Sequence, residues 1–168
     1  MDEKKASISI SIREFMPAVT ELLEDGQTVE LKGGGISMRP FLIGGRDDIF
    51  MVSPKGREPR LGDIYTFRRA DGSYATHRIC RINSDGSFDF VGDGQRFVEK
   101  GIAREQLAAF VPKVRRNGKI INCEKGVIRG IMTARMLVRV RCPRFMAFAS
   151  RAKRFFTGSA RGGQRRGE

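Results

Sequence analysis

A serine hydroxyl is a poor nucleophile until a neighbouring base takes its proton, and this chain carries one side chain suited to that task near neutral pH. His77 is the only histidine among 168 residues. It lies in Tyr74-Ala75-Thr76-His77-Arg78-Ile79-Cys80, where the two-residue period of a strand groups it with Ala75 and Ile79 on an inward face and turns Arg78 away. Ser37 stands in Gly33-Gly34-Gly35-Ile36-Ser37-Met38-Arg39-Pro40. Three glycines let the backbone bend tightly and let another segment approach closely. Pro40 biases Arg39 toward an extended conformation, so Ser37 is expected to open an extended segment. No Gly-Lys-Ser/Thr follows, which excludes a phosphate-cradling P-loop. Asp93 stands in Val91-Gly92-Asp93-Gly94-Gln95. Taken singly, these are a serine in a glycine-rich turn, a core histidine and a turn aspartate. Their order along the chain is what points to chemistry.

Other chemistries fail on composition. Cys80, Cys123 and Cys142 are odd in number, widely spaced and free of any Cys-x-x-Cys, so neither a disulfide framework nor a zinc site is expected. Buried, reduced thiols are expected instead. A single histidine excludes a His-rich metal site, and nothing calls for a cofactor.

These residues need elements to hold them. Phe15, Val19, Leu22 and Leu23 fall at helical spacing from about Arg13, and Gly26 closes that segment. Pro17 is tolerable if the helix begins shortly before it. Ser and Ile alternate over residues 7–12, the period of a half-buried strand. Short β-branched and aromatic runs follow at Thr28–Lys32, Ile36–Leu42, Asp48–Val52, Ile64–Arg69, Tyr74–Arg81 and Ser87–Val91. Asp71-Gly72 and Asp85-Gly86 supply tight turns, so residues 64–91 read as a three-stranded meander. Asn117-Gly118 repeats the signal between Phe110–Val114 and Lys119–Ile121. The expected fold is mainly β, compact and antiparallel, with a short N-terminal helix and a basic C-terminal helical tail.

Four boxes in order resemble the signal peptidase I family: Gly-x-Ser-Met-x-Pro around Ser37, Leu61-Gly62-Asp63-Ile64-Tyr65-Thr66-Phe67, His77-Arg78, and Gly92-Asp93. The likeness is to the Ser/His branch of the endoplasmic-reticulum enzyme and its SipW-like bacterial relatives. In the larger branch, and in the LexA-type self-cleaving repressors, a lysine stands where this chain has His77. The resemblance spans about residues 27–122. It implies a LexA/signal-peptidase-type β fold and a serine endopeptidase in which Ser37 is the nucleophile and His77 the general base, later the acid. The Ser37 N–H would donate into the oxyanion hole. The branch carries two acids after the histidine, about six residues apart; Asp93 matches the first and Glu99 the second. Asp93 is favoured as the acid that orients His77, with Glu99 its rival.

The chain departs from that family in two further ways. Gly35 stands where the signal peptidases commonly carry a serine that serves the oxyanion hole. The N-terminus lacks an apolar stretch behind its charges, and no span of about 18 apolar residues occurs, so neither signal peptide nor membrane anchor is expected. A cytoplasmic processing peptidase, peripheral at the inner face of the membrane, is the resulting expectation. Its substrate would be a peptide or precursor protein.

Charge divides the chain. Residues 1–112 hold 16 Lys and Arg against 17 Asp and Glu, whereas residues 113–168 hold 16 against 2. The tail therefore suits a polyanionic partner. Domains are expected at 1–122 (the β unit), 123–156 (a basic amphipathic extension broken at Pro143) and 157–168 (a disordered tail). Within residues 126–156, apolar positions at helical spacing flanked by arginines suit an anionic membrane surface. Packing of that apolar face on the β unit is the competing reading. Nonspecific nucleic-acid binding through the tail, or a peptidase fold kept only as a binding module, are the alternatives in function.

Overall fold

The computed structural model describes residues 12–141. The Ser/Ile alternation at residues 7–11, Cys142, Pro143 and the chain after it lie outside the described residues.

Helix α1 (Ile12–Glu24) turns Met16, Val19 and Leu23 onto the sheet. The spacing of three and four residues makes one face of a helix. Phe15 and Leu22, counted above in the same apolar set, project outward instead. Gly26 ends the helix with φ 78°, as an αL cap requires.

Strands β1 (Val29–Lys32), β2 (Asp47–Val52), β3 (Ile64–Arg68), β4 (Tyr74–Ile82), β5 (Phe88–Val91), β6 (Val98–Ile102), β7 (Leu107–Arg116) and β8 (Lys119–Asn122) form one antiparallel sheet. Its order is β1-β2-β7-β3-β4-β5-β6, and β8 pairs with the far half of β7. The expected mainly antiparallel β architecture, with a helix before it and a helix after it, is what forms. The 64–91 meander is β3-β4-β5, and Gly72 and Gly86 take positive φ at its two turns. Asn117 and Gly118 both lie at positive φ, the signature of a two-residue type I′ hairpin between β7 and β8.

Both faces of the sheet are buried near its centre. On one, Met16, Val19 and Leu23 of α1 join Met38, Phe41, Leu42, Ile49, Met51, Ile64, Val111 and Val114. On the other, aromatic residues dominate: Tyr65, Phe67, Phe88, Phe90 and Phe110 pack with Ala75 and Ile79. Phe67 and Phe90 are the tightest pair, with ring centroids 4.5 Å apart.

Helix α2 (Gly126–Arg141) lies against the sheet and does not stand apart from it. Met136 is buried with Cys80 and Val91, and Leu137 and Val140 pack around them. Cys80 and Cys123 are buried free thiols, and burial pushes them up to about 11 and about 12. No described helix is long and apolar enough to cross a membrane.

Candidate active site

The segment expected as strand Ile36–Leu42 is instead a series of turns between β1 and β2. Its apolar residues serve as anchors: Met38, Phe41 and Leu42 sink into the core and leave Ser37 half-buried at the surface. Arg39 N–H donates to the Ile36 carbonyl at 3.1 Å and Leu42 N–H to that of Met38 at 2.9 Å. Behind the turns sits Asp47, fully buried, accepting from Ile43 N–H at 3.0 Å and from Arg46 and Arg116. Burial alone would raise its carboxyl, but the two guanidinium groups outweigh burial and hold it well below the ordinary range. Arg116 also donates to the Phe41 carbonyl, so one charge cluster fixes both the turns and the start of β2.

Ser37 is pinned through its backbone to the turn after β5. Gly94 N–H donates to the Ser37 carbonyl at 2.7 Å. A Cβ on Gly92 would lie 2.5 Å from that same carbonyl oxygen, and one on Gly94 would lie 2.9 Å from the Arg39 carbonyl oxygen. Only glycine permits so close an approach. Arg78 pairs with Val91, the last residue of β5, so Gly92 opens the turn just past that pairing. Cross-strand partners share a face, with Cβ positions roughly 5 Å apart. The Ser37 backbone therefore packs against the turn that begins directly after Val91, the partner of Arg78 next to His77.

His77 is buried, its ring edge-on to Phe67 with centroids 6.0 Å apart. Glu99 Oε1 lies 2.9 Å from His77 Nδ1. The carboxylate sits off the axis of the ring N–H, so the contact is short without being an aligned hydrogen bond. Arg69 grips the same carboxylate through Nε and through Nη2, the latter 2.8 Å from Oε1, and donates to Ser73 Oγ at 3.2 Å. Burial pulls the His77 pKa below 6.5, with Arg69 adding to the fall and Glu99 opposing it. Burial pushes the Glu99 carboxyl up, but Arg69 and His77 outweigh it and keep it below its usual value. The pair therefore holds a neutral imidazole against an ionised carboxylate at neutral pH.

Asp93, the favoured orienting acid, has another partner. Arg78 Nε and Nη2 donate to its two carboxylate oxygens at 3.0 and 2.8 Å, and Arg78 Nη1 donates to the Gly62 carbonyl at 2.8 Å. The side chains are 1% and 2% exposed. Arg78 does point away from His77, as strand alternation requires, yet it is buried there against the Phe41 ring. Glu99 pairs with Phe90 across β5, and Phe90 pairs with Ile79, which carries Glu99 onto the face of His77.

The structure thus brings His77 and Glu99 together, ties the Ser37 backbone to the turn after β5, and gives Asp93 to Arg78. Among the described residues, Ser37 Oγ makes no hydrogen bond to His77, and the N–H groups of residues 34–38 find no protein acceptor. The Ser37 N–H is among these donors without a protein acceptor. Arg69 and Arg139 escaped the sequence reading: Arg69 looked like the last residue of a strand, and Arg139 like one of many cations on a helix. No group of His, Cys, Asp and Glu among the described residues is arranged to hold a metal ion. No family model matches the chain, and no curated protein or solved structure matches it.

Proposed function

We propose that the protein is a serine endopeptidase acting on a peptide or precursor protein, with Ser37 as nucleophile, His77 as general base and then acid, and Glu99 as the orienting carboxylate. One observation carries the reading: a buried histidine on β4 touches a carboxylate at 2.9 Å, and the turn after β5, the strand paired with β4, holds the Ser37 backbone over Gly92. In the reaction Ser37 Oγ bonds to the scissile carbonyl carbon and its proton passes to His77 Nε2. The oxyanion is met by the free N–H donors of the serine turn. The carbon–nitrogen bond then breaks, and His77 returns the proton to the departing amine, leaving an acyl ester on Ser37. Water completes the cycle by the same proton route and frees the carboxylic acid. Glu99, 2.9 Å from Nδ1, offsets the imidazolium charge as it forms.

The outer face of α2 suggests where the enzyme works. Val127, Ile131 and Val138 are exposed there, with Arg135 and Arg141 beside them. Such a face suits an anionic membrane surface, to which each nearby Lys or Arg contributes about 1 kcal/mol. Nonspecific nucleic-acid binding through the same charge is the competing partner.

The test is incubation of the protein with a peptide library derived from a whole proteome, with product termini read by mass spectrometry. New termini from the native protein that vanish in Ser37→Ala and His77→Ala support the reading. A second reading, a peptidase-like fold that only binds peptides, draws on the absence of a Ser37–His77 hydrogen bond. It predicts no new termini from any of the three proteins, and that result would overturn the enzyme.

A further inference from the structure

We infer that Arg139, on helix α2, is a positioning residue for Ser37; this rests on the peptidase reading above. The route is short. Arg139 Nη2 donates to the Gly92 carbonyl at 2.7 Å, and Nη1 donates to the Asp93 carbonyl. The next residue, Gly94, donates its N–H to the Ser37 carbonyl at 2.7 Å. Gly92 itself is in backbone contact with Ser37. One turn of chain therefore separates the helix from the nucleophile.

That turn is gripped from two sides by different means. Arg78, on the sheet, holds the Asp93 side chain through a two-pronged ion pair. Arg139, on the helix, holds the main-chain carbonyls of the same turn. A carboxylate can swing about its own side-chain torsions, so the side-chain grip alone leaves the peptide planes free to rotate. The main-chain grip fixes those planes, and with them the direction of the Gly94 N–H that meets Ser37. A planar guanidinium spans two adjacent carbonyls with its fork of donors, which an ammonium group cannot do.

The helix has an independent hold on the domain. Arg129 Nη2 donates to the Leu61 carbonyl at 2.9 Å and reaches Asp63 Oδ1 at 3.0 Å, while Thr133 packs against Gly62 and Met136 is buried. Loss of the Arg139 head therefore releases the turn without undocking α2. Displacement of a reacting group by about 1 Å costs up to roughly a hundredfold in rate.

The experiment uses the full chain and a fluorophosphonate. Ser37 Oγ bonds to phosphorus, fluoride leaves, and the serine proton passes to His77. Labelling rates across pH are measured for the native protein, Arg139→Met (which keeps the aliphatic stem), Arg139→Lys and Arg139→Ala. The label is located by mass spectrometry, and amide exchange of Gly94 is followed in parallel. The expected result is a plateau labelling rate lowered at least about tenfold in Arg139→Met and Arg139→Ala, with the pH midpoint unmoved because His77 and Glu99 are untouched. Gly94 exchange should accelerate, and methylguanidinium, but not methylammonium, should restore labelling of Arg139→Ala. If the native protein labels at Ser37 and the variants label at the same rate, the inference fails while the peptidase reading stands. Unchanged Gly94 exchange, or equal restoration by the two cations, also overturns it. If the native protein does not label at Ser37, the peptidase reading falls and the positioning role with it. Should Arg139→Ala fold poorly, Arg139→Met and Arg139→Lys still decide the rate and exchange outcomes.

Discussion

Asp93→Asn separates a structural acid from a catalytic one. In the native protein the Asp93 carboxylate takes two donors from Arg78 at 3.0 and 2.8 Å, and both side chains are almost wholly buried. An asparagine offers one acceptor and sets an NH2 group against a guanidinium N–H. Arg78 cannot shed its proton, and it keeps only neutral acceptors, the asparagine Oδ1 and the Gly62 carbonyl. Leaving a buried charge uncompensated costs roughly 3–5 kcal/mol. That is a large part of the 5–15 kcal/mol that holds a domain of this kind together. At about 2–4 °C per kcal/mol, the midpoint of thermal unfolding should drop by roughly 10 °C. Urea unfolding of the native and variant proteins measures the loss directly. A second variant checks the cause: Arg78→Met combined with Asp93→Leu removes both charges and should be more stable than Asp93→Asn alone. If Asp93→Asn costs less than about 1 kcal/mol, or the double variant is the weaker of the two, the buried pair is not the structural element argued here.

Glu99→Gln acts on His77 instead. Because burial and Arg69 already lower the His77 pKa, the acid limb of activity should fall below pH 6.5, and removing the Glu99 charge should move it lower still while the plateau drops at least about tenfold. A pH–rate profile that stays centred at 6.5 in both proteins would contradict this. The same depression makes folding favour neutral His77, so its contribution to stability is complete above pH 6.5 and declines as pH falls below it, which urea midpoints at pH 7.5 and 5.5 should report. Gly92→Ala places a methyl 2.5 Å from the Ser37 carbonyl oxygen, and a fluorophosphonate should label it at least about tenfold more slowly than the native protein. On vesicles containing phosphatidylserine, Ile131→Glu and Val127→Glu should co-sediment less than the native protein at low salt; equal sedimentation would remove the membrane role of α2.

Much of the fold was legible because its signals are local. Asn117-Gly118 and the two Asp-Gly turns fix hairpins with two residues each, and Gly26 ends α1 by itself. Strand β6 was not legible: Val98-Glu99-Lys100-Gly101-Ile102 mixes charges with a glycine at φ 67°, and it is a strand because β5 offers it an edge. Ile36–Leu42 has a strand's composition, yet its apolar residues are anchors of a turn whose shape is set by Asp47, Arg46 and Arg116, two of them nearby in sequence and one on β7. As candidates, Ser37 and His77 stand out by type and order. The choice between Asp93 and Glu99 was not, because it depends on which face of the sheet each carboxylate reaches. The register irregularity between Phe88 and Phe90 helps set that face, and it has no sequence signature. Arg139 was hidden for a similar reason. A cation on a helix rich in cations acquires a partner only when the helix docks.

The serine turn also has a closed neck. Gly33 N–H donates to the Asp47 carbonyl at 2.8 Å, Gly45 N–H donates to the Gly33 carbonyl at 3.0 Å, and the adjoining Lys32 and Asp48 are paired across β1 and β2. Residues 33–47 are therefore tied off at the base like a purse whose lining, Met38, Phe41 and Leu42, is sewn into the core. Opening it exposes that part of the core and parts Asp47 from Arg116, so the loop should open together with the sheet and not before it. On warming, Ser37 should keep its place for as long as the strands keep their backbone signal, and an intact overall spectrum vouches for the serine turn as well.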